Sequence, residues 1–196
     1  MTAHREKAMI RSQLLAKRAT LNSAERQAAA DALRARLLSL PESQNATTVA
    51  AYVSVRPEPD TRLLLEELRN RGIRVLLPVL RPDHDLDWAD YDGPASLALG
   101  QTYGSTKLPE PTGPRLGVAT VTQAEVVLVP ALAVDRQGHR LGRGGGSYDR
   151  ALARLPADRC IVALLYDHEL LDTVPVEPHD CNVTLAATPS DLHRLD

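Results

Sequence analysis

Apolar positions change their period along this chain, and each change marks an element. From about Ala3 to Ala19, Ile10, Leu14 and Leu15 recur at helical spacing with Lys and Arg between them. Asn22 heads a second helix, with Glu25 three residues on as its capping-box partner and Ala28, Leu33, Leu37 and Leu38 inside it; Pro41 stops it near Leu40. Thr47 to Val55 then becomes a β-branched, almost wholly apolar run, which predicts a strand buried on both faces, as parallel sheets require. A helix over Thr61 to Arg71, closed by Gly72, and a strand over Ile73 to Val79 complete a βαβ unit.

Beyond Pro82 the pattern loosens. Trp88 and Tyr91 suggest a short strand, and Leu108 to Pro114 is rich in Pro and Gly, so residues 82–114 are read as an excursion over the sheet edge. Ala124 to Val134 predicts a second buried strand, which feeds a Gly- and Arg-rich stretch. A helical pattern over Arg150 to Leu155 follows, then a strand over Cys160 to Tyr166 and another over Thr184 to Ala187. Alternating elements of this kind predict an α/β fold: a three-layer α/β/α sandwich, Rossmann-like, with a mostly parallel central sheet and a ligand site beyond the carboxyl ends of its strands. The 196 residues are read as one domain, 1–196.

Composition narrows the function classes. A net charge of −2 and a pI near 6.3 argue against a dedicated nucleic-acid binder, which needs a broad basic surface. No long apolar run suggests a membrane segment, and Cys160 and Cys181 lack metal-ligand spacing, so a cytoplasmic protein is expected. Its expected partners are small molecules, with no nucleic acid or membrane; a monomer is the default expectation, which the sequence itself does not decide. With no Phe and one Trp, the core must rest on Leu, Val and Ala.

The candidate chemistry lies between Asp135 and Arg150. Gly138, Gly142, Gly144, Gly145 and Gly146 alternate with Arg136, Arg140 and Arg143, so the backbone can approach a ligand closely while planar, permanently charged side chains meet anionic oxygens. The spacing matches neither the Walker loop nor the dinucleotide fingerprint. Asp149 is suited either to Mg²⁺ beside a polyphosphate or to the first turn of a helix. Lys7 and Arg11, four apart, share a helix face that is either solvated or turned to this loop. Glu58, between two prolines past the first strand, stands where α/β sites form or is a turn acid in water. His179 and Asp180 offer a base and a second carboxylate.

Four stretches resemble the 5-formyltetrahydrofolate cyclo-ligase family, also called methenyltetrahydrofolate synthetases. They are Lys7-x-x-x-Arg11, Pro57-Glu58-Pro-Asp-Thr61, Gly138-x-Arg-Leu-Gly-Arg-Gly-Gly-Gly-x-Tyr-Asp-Arg150 and Val174-Pro-x-x-x-His-Asp180. The resemblance implies an ATP- and Mg²⁺-dependent ligase that converts 5-formyltetrahydrofolate to 5,10-methenyltetrahydrofolate with release of ADP and phosphate. It further implies that Lys7, Arg11, Arg140 and the stretch Leu141, Gly142, Arg143, Gly144, Gly145, Gly146, Ser147 and Tyr148 bind ATP, and that Asp149 and Asp180 bind the metal. Val53 and Glu58 would line the folate pocket, Arg143 to Ser147 would lie between the two substrates, and Arg143 and Tyr148 would act in catalysis. Two positions depart from the family pattern: Ser147 replaces the first of two tyrosines, and Thr184 replaces an acid. Tyr148, Tyr103 and Trp88 are the rings left to stack on a pterin. The alternatives are a sugar-phosphate isomerase or CoA-transferase relative that uses no nucleotide, and a non-catalytic nucleotide or folate binder.

Overall fold

Residues 3–103 and 106–195 are described by the computed structural model. The first helix, α1 (Ala3–Thr20), buries Lys7, Leu14 and Arg18. With Arg11 these form a stripe at spacings of four, three and four, one helix face carrying three cations. Asn22 caps α2 (Ser23–Ser39) as expected: its side chain accepts from the Glu25 N–H at 3.0 Å, and the Glu25 carboxylate accepts from the Asn22 N–H at 2.8 Å. A short unpredicted helix, α3 (Pro41–Asn45), starts at the proline that stops α2.

Strand β1 (Thr48–Ala50) is shorter than the apolar run. The Ala51 N–H makes one more bond to Leu76, and the chain then leaves the sheet. Thr61 explains the exit: its hydroxyl donates to the Tyr52 carbonyl at 2.7 Å and accepts from the Ser54 N–H at 2.9 Å. These bonds tie off a loop with Glu58 at its turn. Helix α4 (Arg62–Asn70) buries Leu64, Leu65 and Leu68 and ends before Gly72, whose φ of +78° suits a residue without Cβ. Then come β2 (Arg74–Leu80) and β3 (Leu86–Asp90), an antiparallel pair, and a hairpin of β4 (Leu97–Tyr103) and β5 (Thr106–Pro111). The excursion over the sheet edge is thus largely this hairpin, anchored where the Glu110 carboxylate accepts from the Leu80 N–H at 2.8 Å.

The predicted strand 124–134 is two: β6 (Val126–Pro130) and β7 (Ala133–Asp135). Between them the Ala131 carbonyl accepts from Arg18 at 2.6 Å and the Leu132 N–H donates to Leu141, which carries the chain out of the large sheet. After β8 (Arg140–Leu141) the glycine loop leads into α5 (Ser147–Leu152), which starts three residues before the predicted helix. Strand β9 (Cys160–Leu164), β10 (Leu170–Leu171), β11 (Leu185–Ala187) and an unpredicted antiparallel β12 (Leu192–Arg194) complete the elements.

The large sheet runs β12-β11-β9-β6-β1-β2-β3, parallel except at its two edge strands. Alternation along β6 sends Val126 and Leu128 to one face, with α2 and α4, and Val127 and Val129 to the other, with α5. This is the expected three-layer α/β sandwich. A smaller sheet, β10-β7-β8, supports α1 through Leu14, Leu132, Leu141 and Val174. No helix among the described residues is long and apolar enough to cross a membrane.

Candidate functional site

Chain order in the large sheet reverses between β1 and β6: β1 leads outward to β2, and β6 leads the other way to β9 and β11. In parallel sheets that reversal leaves a crevice beyond the carboxyl ends of the strands. Here a cavity of about 360 Å³ occupies it. Its lining includes Tyr52, Val53 and Glu58 from the loop after β1, the glycine loop with Tyr148 and Asp149, and Lys7, Arg11 and Arg18 from α1. The hairpin adds Leu108 and Pro109, and the C-terminal segment Glu177, His179 and Asp180. Every residue to which the family resemblance gives a part in binding ATP, folate or metal lines this one cavity.

The cations are held in place by acids. Lys7, 3% exposed, donates to Glu177 at 2.8 Å and to Asp180 at 2.6 Å. Burial opposes its charge, but the bonds to Asp180 and Glu177 outweigh that and raise its pKa. In return, burial raises and Lys7 more than offsets it, so Asp180 sits below the usual carboxylate range. Arg140 donates to Asp149 at 2.7 Å, and the Asp149 oxygen also accepts from the Cys181 N–H at 3.3 Å. Arg11 donates to the Gly142 carbonyl at 2.8 Å, so the Lys7/Arg11 face is turned to the loop and not to water.

Arg143 reaches across the cavity to Glu58, 3.1 Å away. Glu58 also accepts from the Val55 N–H at 2.9 Å. Burial raises its pKa, with Arg143 pulling the other way. Tyr148 has a raised pKa through burial and the Glu58 charge. Within the loop, Gly144 and Gly146 have φ of +99° and +68°, backbone that other residues rarely adopt. A Cβ on Gly144 would meet the Arg11 guanidinium at 3.4 Å.

Glu177, His179 and Asp180 bring ligand atoms within 4.8 Å of one another, a set able to hold a divalent ion through its carboxylates. Asp149 is outside that set and is joined to it through Cys181. Arg136 is exposed and does not line the cavity, so the loop contributes two arginines and not three. Trp88, 1% exposed, is packed in the core beneath the sheet and is not available as a stacking ring. The side chain of Tyr103 lies outside the described residues. Thr184 is a strand joint: its hydroxyl accepts from the Ile161 N–H at 2.9 Å, away from the cavity.

Sequence reasoning missed Arg18, Tyr52 and Glu177. Arg18 was legible as the continuation of the stripe through Lys7, Arg11 and Leu14. Tyr52 carried no signal, because it looks like one more apolar residue of a strand.

A sequence profile described as the 5-formyltetrahydrofolate cyclo-ligase family matches residues 3–189. The chain is 44% identical over 190 residues to a 5-formyltetrahydrofolate cyclo-ligase of Mycolicibacterium smegmatis, covering 94% of each chain. It is 33% identical over 160 residues to the Escherichia coli protein of that name, covering 80% of this chain and 86% of that one. The solution structure of Aquifex aeolicus 5,10-methenyltetrahydrofolate synthetase superposes with a TM-score of 0.80 at 28% identity, covering 96% of this chain and 92% of that one. By these matches, which span nearly its whole length, the chain belongs to the 5-formyltetrahydrofolate cyclo-ligase family.

Proposed function

We propose that the protein closes the formyl group of 5-formyltetrahydrofolate onto N10, using ATP and Mg²⁺ and releasing 5,10-methenyltetrahydrofolate, ADP and phosphate. Family membership supports the cyclo-ligase activity. The observation that carries the finer reading is the Arg143–Glu58 pair, 3.1 Å across one cavity: it joins a glycine loop suited to phosphate to a buried carboxylate suited to a ring edge rich in N–H groups.

In this reading Lys7, Arg11, Arg140 and the backbone from Leu141 to Tyr148 hold the ATP phosphates. Val53 and Glu58 hold the folate, and the segment from Arg143 to Ser147 separates the two. The formyl oxygen attacks the γ-phosphorus and the bond to ADP breaks. N10 then attacks the activated carbon and loses its proton, and the carbon–oxygen bond breaks to release phosphate. Neither step needs a covalent nucleophile from the protein, so catalysis rests on in-line positioning and neutralisation of charge. Arg143 supplies a permanent positive charge where the phosphoryl group passes between substrates, and Tyr148, whose pKa is raised by burial and the Glu58 charge, keeps its hydroxyl proton and can donate it to an oxygen there. Asp149 and Asp180 would hold Mg²⁺, with Glu177 beside them; when bound, the ion neutralises phosphate charge.

The test is the absorbance of methenyltetrahydrofolate formed from 5-formyltetrahydrofolate with Mg-ATP. Product that appears only when both substrates are present meets the expectation. A protein that binds folate yet forms no product at high concentration is instead a binder, and product without ATP excludes the ligase.

A further inference from the structure

Three residues that line the cavity each have a buried polar atom with no partner in the protein: Arg140 at β8 through its Nε, and, on the side built by α1 and the loop after β1, Tyr52 through its hydroxyl and Arg18 through its Nη1. Tyr52 and Arg18 are 4% and 0% exposed. Such groups are rare because an unmet buried donor is costly, and those that persist call for a ligand or a function. The rest of Arg18 is satisfied: Nε and Nη2 donate to Glu169 at 2.6 and 2.8 Å, and Nη2 also to the Ala131 carbonyl. Its carbon end lies over the Tyr166 ring, 5.6 Å from the centroid. That contact covers the face of the guanidinium and leaves the in-plane Nη1–H groups unused. Burial and the neighbouring Glu58 charge raise the Tyr52 pKa well above the ordinary phenol value, so its hydroxyl is a donor throughout the working range.

The residues lining the cavity thus bring together an acceptor, Glu58, and unmet donors: Arg140 at β8, and Arg18 and Tyr52 in the walls built by α1 and the loop after β1, the same loop that carries Glu58. We infer that Arg18 and Tyr52 form a specificity subsite that receives the ring carbonyl of the bound heterocycle, while Glu58 takes the adjacent N–H edge. The inference rests on the folate reading above and assigns which ring face is recognised. A lactam presents a carbonyl beside an N–H, which matches donors beside a carboxylate. A ring with an amine in place of that carbonyl sets donor against donor and leaves Arg18 and Tyr52 unpaired, a mismatch that binding sites reject strongly.

Tyr52→Phe removes the hydroxyl and nothing that the protein itself uses. Calorimetry with the full-length chain would compare 5-formyltetrahydrofolate with its analogue carrying an amine in place of the ring carbonyl. Wild type is expected to prefer the oxo form, and Tyr52→Phe to weaken oxo binding about tenfold and to narrow the preference by a similar factor, with a melting temperature unchanged or raised. Arg18→Lys, which keeps a counter-charge for Glu169 but loses Nη1, should narrow the same preference. Wild-type affinities and an unchanged preference in Tyr52→Phe would overturn the subsite, as would a marked fall in its melting temperature. If wild type turns over the folate while both variants discriminate normally, this inference alone fails. If wild type binds no folate, the functional reading fails with it.

Discussion

Arg18 and Glu169 form the most deeply buried ion pair of the described residues, with side chains 1% and 0% exposed, and they fix α1 against the crevice. Replacing Glu169 by Leu leaves a guanidinium with no counter-charge in an environment closed to water; replacing Arg18 by Met leaves the carboxylate in the same state. Each single change should cost about 3–5 kcal/mol, because an uncompensated buried charge loses its hydration and gains nothing in return. With a urea slope of roughly 2 kcal/mol/M, the unfolding midpoint should fall by about 1.5–2.5 M. Replacing both removes both charges, so the double variant should cost far less than the sum of the singles. What persists is the loss of partners for the Ala131 carbonyl and the Tyr166 N–H. Urea titrations of the four proteins by far-UV circular dichroism give the coupling directly. Additive effects, or single variants that lose under about 1 kcal/mol, would refute the reasoning.

Three further outcomes follow from the geometry. Arg143→Ala should lower turnover at least about a hundredfold in the methenyltetrahydrofolate assay, since it removes a fixed charge aimed at the transferring group; wild-type turnover would remove the loop from the chemistry. Gly138→Ala should lose more than about 2 kcal/mol in urea unfolding, because φ is +83° and the added Cβ would fall 2.4 Å from the Val183 carbonyl; a loss below about 0.5 kcal/mol would contradict that contact. Asp180→Asn should destabilise the protein by about 1.5 kcal/mol at neutral pH. The Asp180 pKa is depressed in the folded state, so its contribution is present above the unfolded value near 3.9 and is lost as pH falls through the folded value. The gap between wild type and variant should therefore close in acid, and thermal melts showing a gap that widens there would reverse the assignment.

Much of this protein can be read along the chain. The capping box at Asn22 and Glu25, the helix stop at Gly72 and the buried parallel strands follow from local rules, because capping, left-handed backbone and two-faced burial each leave a compositional mark within a few residues. The glycine loop and its arginines were visible as residue types suited to anions, Glu58 as a carboxylate at a place where α/β ligand sites form, and Asp180 as a second carboxylate; the folate and metal roles of these two were assigned only through the family resemblance. Partnership was not visible. That Lys7 pairs with Glu177 and Asp180, that Arg143 spans to Glu58, and that Arg136 faces water while Arg140 does not, depend on where separate segments meet. Apolar runs also conceal their own ends. Residues 47–55 and 124–134 read as single strands, but the Thr61 hydroxyl draws the first out of the sheet, and Arg18 with Leu141 bends the second into another. Each capture acts from a distant or non-ladder position, and hydrophobicity along the run does not register it. Tyr52 is the clearest case: in sequence one more apolar residue of a strand, in the folded chain a hydroxyl without a partner in the wall of the site. A residue's type states which bonds it can make, and the folded chain decides which of them are met.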